Sequence, residues 1–132
     1  MPAAQDGPWP LELRIAKSRA ELVVTFDNGE TARLPAEYLR VFTPSAERTG
    51  HGSRRVIGGK ANVTIKDAAA VGRYAVRLTF SDGHNTGIYP LDRLAVLHRS
   101  LNDNWSKYLS ELEALGLSRE HPGSAAAPPA AR

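Results

Sequence analysis

Two stretches of this chain carry nearly the same pattern, and that duplication constrains its fold more than any other feature. Val24-Thr25-Phe26-Asp27-Asn28-Gly29 corresponds to Leu78-Thr79-Phe80-Ser81-Asp82-Gly83, and Leu34-Pro35-Ala36-Glu37-Tyr38-Leu39 corresponds to Tyr89-Pro90-Leu91-Asp92-Arg93-Leu94. Tyr74, Val76, Leu78 and Phe80 alternate with Ala75, Arg77 and Thr79, the period of a strand with one buried face. Asn28-Gly29 and Asp82-Gly83 suit tight I′ turns, whose central residues both need positive φ. Pro35 and Pro90 suit the first position of a helix, where a missing N–H costs nothing. Hairpins converge on such turn dipeptides, so the matching proline-led helix starts are what favour a structural repeat. The expectation is two strand–turn–strand–helix units, with Phe26 and Phe80 in equivalent inward positions. The later copy holds one extra residue in its second strand, which a bulge at Gly87, or a close backbone approach there, would absorb.

Around these units the chain reads in order. Leu11, Leu13 and Ile15 alternate as a first strand, Glu21 to Phe26 forms a second, and Glu30 to Leu34 a third. The helix after Pro35 carries Tyr38, Leu39 and Phe42 at helical spacing. From Thr43 to Lys60 the periodicity dissolves into a long loop, and loops of that length are more often functional than idle. Alternation resumes at Val63 and Ile65. Leu91, Leu94, Leu97 and Leu101 make an amphipathic helix, and Asn102-Asp103-Asn104 offers a fresh N-cap. Trp105, Tyr108, Leu109, Leu112 and Leu115 then continue an apolar stripe to Gly116, a natural C′ residue. The predicted class is α+β: a small antiparallel β-sheet built from two hairpin–helix units, with C-terminal helices. Residues 1–9 read as a flexible lead-in, 10–118 as a single domain, and 119–132 as a disordered tail with nothing to bury.

Composition narrows the function. A chain of 132 residues can bury a sizeable core as one domain. It has no cysteine, which excludes disulfides, iron–sulfur ligation and thiolate zinc sites. No apolar run reaches the roughly 20 residues that span a bilayer, and the first residues lack the basic and apolar regions of a signal peptide. A cytoplasmic location and no membrane partner are the expectation. A net charge of +3 supports no nucleic-acid partner by itself.

No residue set reads as catalytic: there is no GxSxG elbow, and the carboxylates are scattered singly. The sequence therefore predicts no enzyme and no cofactor. His51 in the long loop and His84 after the second turn are the only metal candidates, with Glu47 and Asp82 nearby. No HxH or HxxxH spacing supports them, and an exposed turn histidine is commoner than a ligand. Arg48, Arg54, Arg55 and Lys60 make the loop basic, opposed there only by Glu47, so it could meet phosphate or an acidic partner surface. A solvated loop is the plainer reading. Gly58-Gly59-Lys60 lacks the spacing of a phosphate-binding loop.

Leu39-Arg40, Thr43-Pro44-Ser45-Ala46-Glu47, Gly50-His51-Gly52, Val71 to Val76 and Phe80 to Tyr89 resemble the DUF971 family, itself similar to the N-terminal domain of gamma-butyrobetaine hydroxylase and trimethyllysine dioxygenase. The resemblance covers roughly residues 11–103 and implies a small α+β domain with antiparallel sheet. It also implies an association with Mrp/ApbC-type P-loop iron–sulfur carriers, to which the domain is fused in some proteins. In the dioxygenases the domain holds a structural zinc through a cysteine cluster after the first Leu-Arg and a histidine after the hairpin turn. His84 falls at the histidine position, while the matching stretch Phe42 to Arg48 contains no cysteine, so the resemblance implies a lost zinc site. The iron and 2-oxoglutarate machinery belongs to another domain, and no catalytic residue carries over. The reading is a non-catalytic binding or accessory module in iron–sulfur or metallocofactor assembly, meeting a protein partner through His51, His84, Glu47, Arg54 and Arg55. A metal-dependent enzyme or metal-binding protein using His51 and His84, and a weak nucleic-acid binder using the loop 43–60, are the alternatives.

Overall fold

The computed structural model describes residues 8–44 and 55–126. Strands β1 (Pro10–Ile15), β2 (Glu21–Phe26) and β3 (Thr31–Pro35) pair in order as an antiparallel sheet, followed by helix α1 (Ala36–Val41). After β4 (Arg55–Gly58) the arrangement recurs, with β5 (Ile65–Val71), β6 (Ala75–Phe80) and β7 (Gly87–Pro90) forming a second antiparallel sheet and α2 (Leu91–Arg99) following it. Helix α3 (Leu101–Ala114) and strand β8 (Gly123–Ala126), paired with β4, complete the described chain. The class is α+β, as expected.

The repeat extends beyond the matching sequence. Gly29 and Gly83 have φ of 91° and 94°. In each turn the glycine N–H donates to the phenylalanine carbonyl at 3.0 Å, and the phenylalanine N–H donates at 2.9 Å to Glu30 O or His84 O. Each helix is capped by its proline, Pro35 (φ −61°, ψ 143°) or Pro90 (φ −57°, ψ 143°), which is the N-cap and not the first helical residue. Even the entry strands agree: a bulge opposite Phe26 lies between Pro10 and Glu12, and one opposite Phe80 lies between Ile65 and Asp67.

Two turn details differ from the sequence reading. Positive φ is confined to the glycine, so the loops are three residues long, a turn closed by an αL glycine bulge, and not the two-residue I′ form. Asn28 and Asp82 stay at negative φ because their carboxyl or amide oxygen accepts the N–H two residues on, from Glu30 at 2.9 Å and from His84 at 3.0 Å. The extra residue of the second unit also lies elsewhere. Pairing of β6 with β7 runs without a shift from Leu78↔Gly87 to Ala75↔Pro90, so the insertion sits between His84 and Gly87.

Leu22, Val24, Phe26, Leu34, Leu78, Phe80 and Tyr89 meet Tyr38, Leu39 and Leu94 in one core. Hydroxyls tie the helices into it: Tyr38 donates to Leu97 O at 2.7 Å and Tyr89 donates to Leu39 O at 2.5 Å. Tyr74, placed by its alternation on the inner face, is instead 68% exposed, because the strand begins only at Ala75. A second cluster gathers Val41, Val56, Tyr108 and Leu112, with Leu115 and Leu117 packed on it.

The break between α2 and α3 falls at Ser100, ahead of the asparagine-rich run, and no side chain caps α3. Gly116 does end α3 as expected: with φ 71° it donates to Glu113 O at 3.2 Å, and Leu117 N donates to Leu112 O at 2.8 Å. Within the stretch read as a loop, residues 55–58 are strand β4. Within the stretch read as a disordered tail, residues 119–126 are described, and Gly123–Ala126 pair with β4 through backbone bonds that need no apolar side chain.

Candidate functional site at the second hairpin turn

The second turn collects charge that the first does not. Asp82 Oδ2 accepts from Arg40 Nε at 2.8 Å and from Lys60 Nζ at 2.5 Å, while Oδ1 accepts the His84 N–H. Arg40 comes from the end of α1 and Lys60 from the stretch after β4, so one carboxylate joins three separated parts of the chain. Burial alone would raise the Asp82 pKa. The bonds from Lys60, the His84 N–H and Arg40 outweigh it and bring the carboxyl down to about 2.

His84 is half-buried, its ring 6.0 Å from that of Phe80 and its Nε2 3.4 Å from the hydroxyl of fully buried Thr43. Burial first, then the positive charges of Arg40 and Lys60, hold its pKa below the ordinary histidine value against the opposing pull of Asp82. Thr43 also bonds the hydroxyl of buried Tyr89, whose pKa burial raises far above the usual phenol range. Gly87 is what lets these groups meet. A Cβ there would stand 2.8 Å from Thr43 Oγ1 and 3.0 Å from the Tyr89 ring, so a side chain would have to displace the Thr43 hydroxyl or the Tyr89 ring. The close approach expected at Gly87 is present, without the bulge.

The sign of the histidine's coupling can be measured. A base whose folded pKa is lowered binds fewer protons folded than unfolded, so His84 contributes stability that is complete above the unfolded value of about 6.5 and declines as pH falls below it. By NMR its imidazole should titrate below an ordinary histidine, and Asp82→Asn should lower that midpoint further by leaving Arg40 and Lys60 unopposed. A midpoint that rises in Asp82→Asn would contradict this electrostatic account.

Of the residues singled out from sequence, His84, Asp82 and Lys60 lie in this cluster, and Arg55 begins β4. Glu47, Arg48, His51 and Arg54 lie outside the described residues. Arg40, Thr43 and Tyr89 were not singled out as site residues. Their sequence signal is that all three lie in the stretches that carry the family resemblance, Leu39-Arg40, Thr43 to Glu47 and Phe80 to Tyr89. Among the described residues the donors do not suit a zinc ion: Thr43 offers a hydroxyl, Asp82 already holds two cations, and there is no group of three His, Cys, Asp or Glu side chains able to hold a metal ion. No described helix is long and apolar enough to cross a membrane.

A duplicated hairpin–helix unit with its polar residues gathered at one turn defines a small α+β domain class. The chain belongs to the family described as gamma-butyrobetaine hydroxylase-like, N-terminal, which it matches over residues 13–95. Two proteins with NMR solution structures are similar to it: one at 36% identity, covering 87% of this chain and 92% of that one with a TM-score of 0.76, the other at 40% identity, covering 90% of each with a TM-score of 0.75. A crystal structure of a DUF971-family protein of unknown function from Acidithiobacillus ferrooxidans is 39% identical, covering 68% of this chain and 92% of that one with a TM-score of 0.58. No curated protein matches the chain.

Proposed function

We propose that this domain is a non-catalytic binding module that serves iron–sulfur or metallocofactor assembly by docking on a protein partner, of the Mrp/ApbC carrier type, through the face around Asp82 and His84. One observation carries the reading. The first hairpin shows what the turn needs for folding, since Asn28 and Glu30 occupy the positions of Asp82 and His84 with only the local bond between them. The second turn makes the same local bond and adds Arg40, Lys60 and the Thr43–His84 contact. Turn chemistry does not require those additions. A preset cluster of fixed charges and a neutral imidazole lowers the ordering cost of binding and gives a partner specific polar contacts. Glu47, His51 and Arg54 lie outside the described residues, and their part in the proposal stands on the sequence alone.

Titration calorimetry with a purified carrier of that type tests it. His84→Ala is expected to weaken binding at least about tenfold while the melting temperature stays within a few degrees, as for most surface substitutions. Unchanged affinity in His84→Ala, or no binding by the unaltered domain, would remove the assignment.

A further inference from the structure

Among the described residues, positive charge at the second turn exceeds negative. Arg40 and Lys60 share the one carboxylate of Asp82; both donate to its Oδ2, while Oδ1 takes the His84 N–H. The three side chains are between 12% and 21% exposed, so water and salt screen the surplus poorly. The other acid of α1 does not take it up, because Glu37 is clamped by Arg119 through bonds of 2.8 and 2.6 Å. The Arg40 guanidinium is also only partly used. Asp82 meets it side-on at Nε, and among the described residues neither Nη group has an acceptor or is sealed from solvent. The end-on fork of the two Nη groups is therefore open, and its geometry matches the two oxygens of a carboxylate. Folding does not demand a cation at this position. Arg40 follows Leu39 as Ala95 follows Leu94 in the second unit, and Ala95 is a buried methyl.

We propose that the Arg40 fork, with Lys60 beside it, is a carboxylate socket that receives a glutamate or aspartate side chain of the docking partner. The inference rests on reading the chain as a docking module and specifies what the partner presents at the Asp82 face. Charge selects the occupant. Arg40, Lys60 and Asp82 together carry one net positive charge, which a single carboxylate neutralises and a phosphate dianion would exceed. Asp82 acts as the positioning residue: its bond to Nε holds the guanidinium in place, so little side-chain freedom remains to be lost on binding. Lys60 shares the same Asp82 oxygen, so its charge lies beside the guanidinium and adds attraction without supplying the fork.

NMR of the full chain tests it, with acetylated, amidated Gly-Glu-Gly as the probe and Gly-Gln-Gly as the control at matched ionic strength. The Glu peptide should shift the Arg40 Nε–H signal saturably, with a dissociation constant of roughly millimolar order, and the Gln peptide should bind at least about tenfold more weakly. Arg40→Lys keeps the charge but removes the fork, and Lys60→Met keeps the Arg40–Asp82 pair but removes the surplus charge. Each should weaken Glu-peptide binding about tenfold, read at the Asp82 and His84 amides, with the melting temperature within a few degrees. Equal binding of the two peptides, or undiminished binding by Arg40→Lys, would overturn the proposal. Inorganic phosphate that binds as tightly as the Glu peptide would overturn it too. Titrating the carrier separates this inference from the docking reading. Carrier binding unchanged in Lys60→Met would sink the socket and leave docking intact, whereas Glu-peptide binding without carrier binding would keep the socket and remove the docking assignment.

Discussion

Arg119→Ala is expected to lower the unfolding free energy by about 3 kcal/mol, because it leaves a buried carboxylate without its counter-charge. Glu37 is only 6% exposed in the first turn of α1, and both of its oxygens accept from the Arg119 guanidinium. That guanidinium also lies 5.4 Å over the Trp105 ring, so the substitution removes stacking as well as charge. The low end of the range for broken buried pairs applies, since the Arg119 side chain keeps 40% of its surface in water. Replacing both partners with methionine should cost much less than Arg119→Ala alone, because the penalty lies in the stranded charge and not in loss of the pair. Urea unfolding of the three proteins at neutral pH decides it. A loss under about 1 kcal/mol for Arg119→Ala would mean that water reaches Glu37 and that the clamp is not structural.

The hairpins were legible because their signals are local. Phe26 and Phe80 precede turn glycines at fixed spacing, and alternation assigns their strands to one buried face. Both side chains are buried, at 1% and 0% exposure. The exact turn form was not legible, because Asp-Gly serves both the two-residue turn and the three-residue loop. The choice depends on which residues pair beyond the turn. β4 was obscured for a different reason: its four residues, Arg-Val-Ile-Gly, lie among glycines and arginines too short a run to show a period. β8 carries no period at all, since small residues pair through their backbone. The Glu37–Arg119 clamp joins residues 82 positions apart, with neither position marked by its neighbours.

The candidate site divides the same way. His84 and Asp82 belong to a local motif and were visible from it. Arg40 lies 42 positions from Asp82 and Lys60 lies 22 positions from it, so only the folded chain shows that one carboxylate binds both. Comparing the two units supplies what sequence could not. The same turn with Asn28 and Glu30 folds without added cations, which separates the demands of the hairpin from the additions at Asp82.

That comparison yields the second large effect. Phe80→Ala should cost about 3–5 kcal/mol, the range for deleting a fully buried aromatic ring, and Phe26→Ala should cost about the same if the units are structural equivalents. Each phenylalanine pairs with the residue at which the bulge of its entry strand begins, Phe80 with Ile65 and Phe26 with Pro10. Their surroundings differ in one respect. Phe26 stacks on His98 at 5.8 Å, while Phe80 lies 6.0 Å from His84 of the candidate site. Phe80→Ala should therefore also shift the His84 titration, whereas Phe26→Ala should leave it in place. Because both rings belong to one core, their cavities can merge and the double variant can fall short of the sum. Even so, a combined loss of about 6–10 kcal/mol approaches or exceeds the whole stability of a domain this size, so the double variant should be largely unfolded at 25 °C. Circular dichroism on the three variants tests the set. A Phe80→Ala protein that melts within a few degrees of the unaltered chain would show that the second unit does not bury its phenylalanine as the first does, and the equivalence would fail.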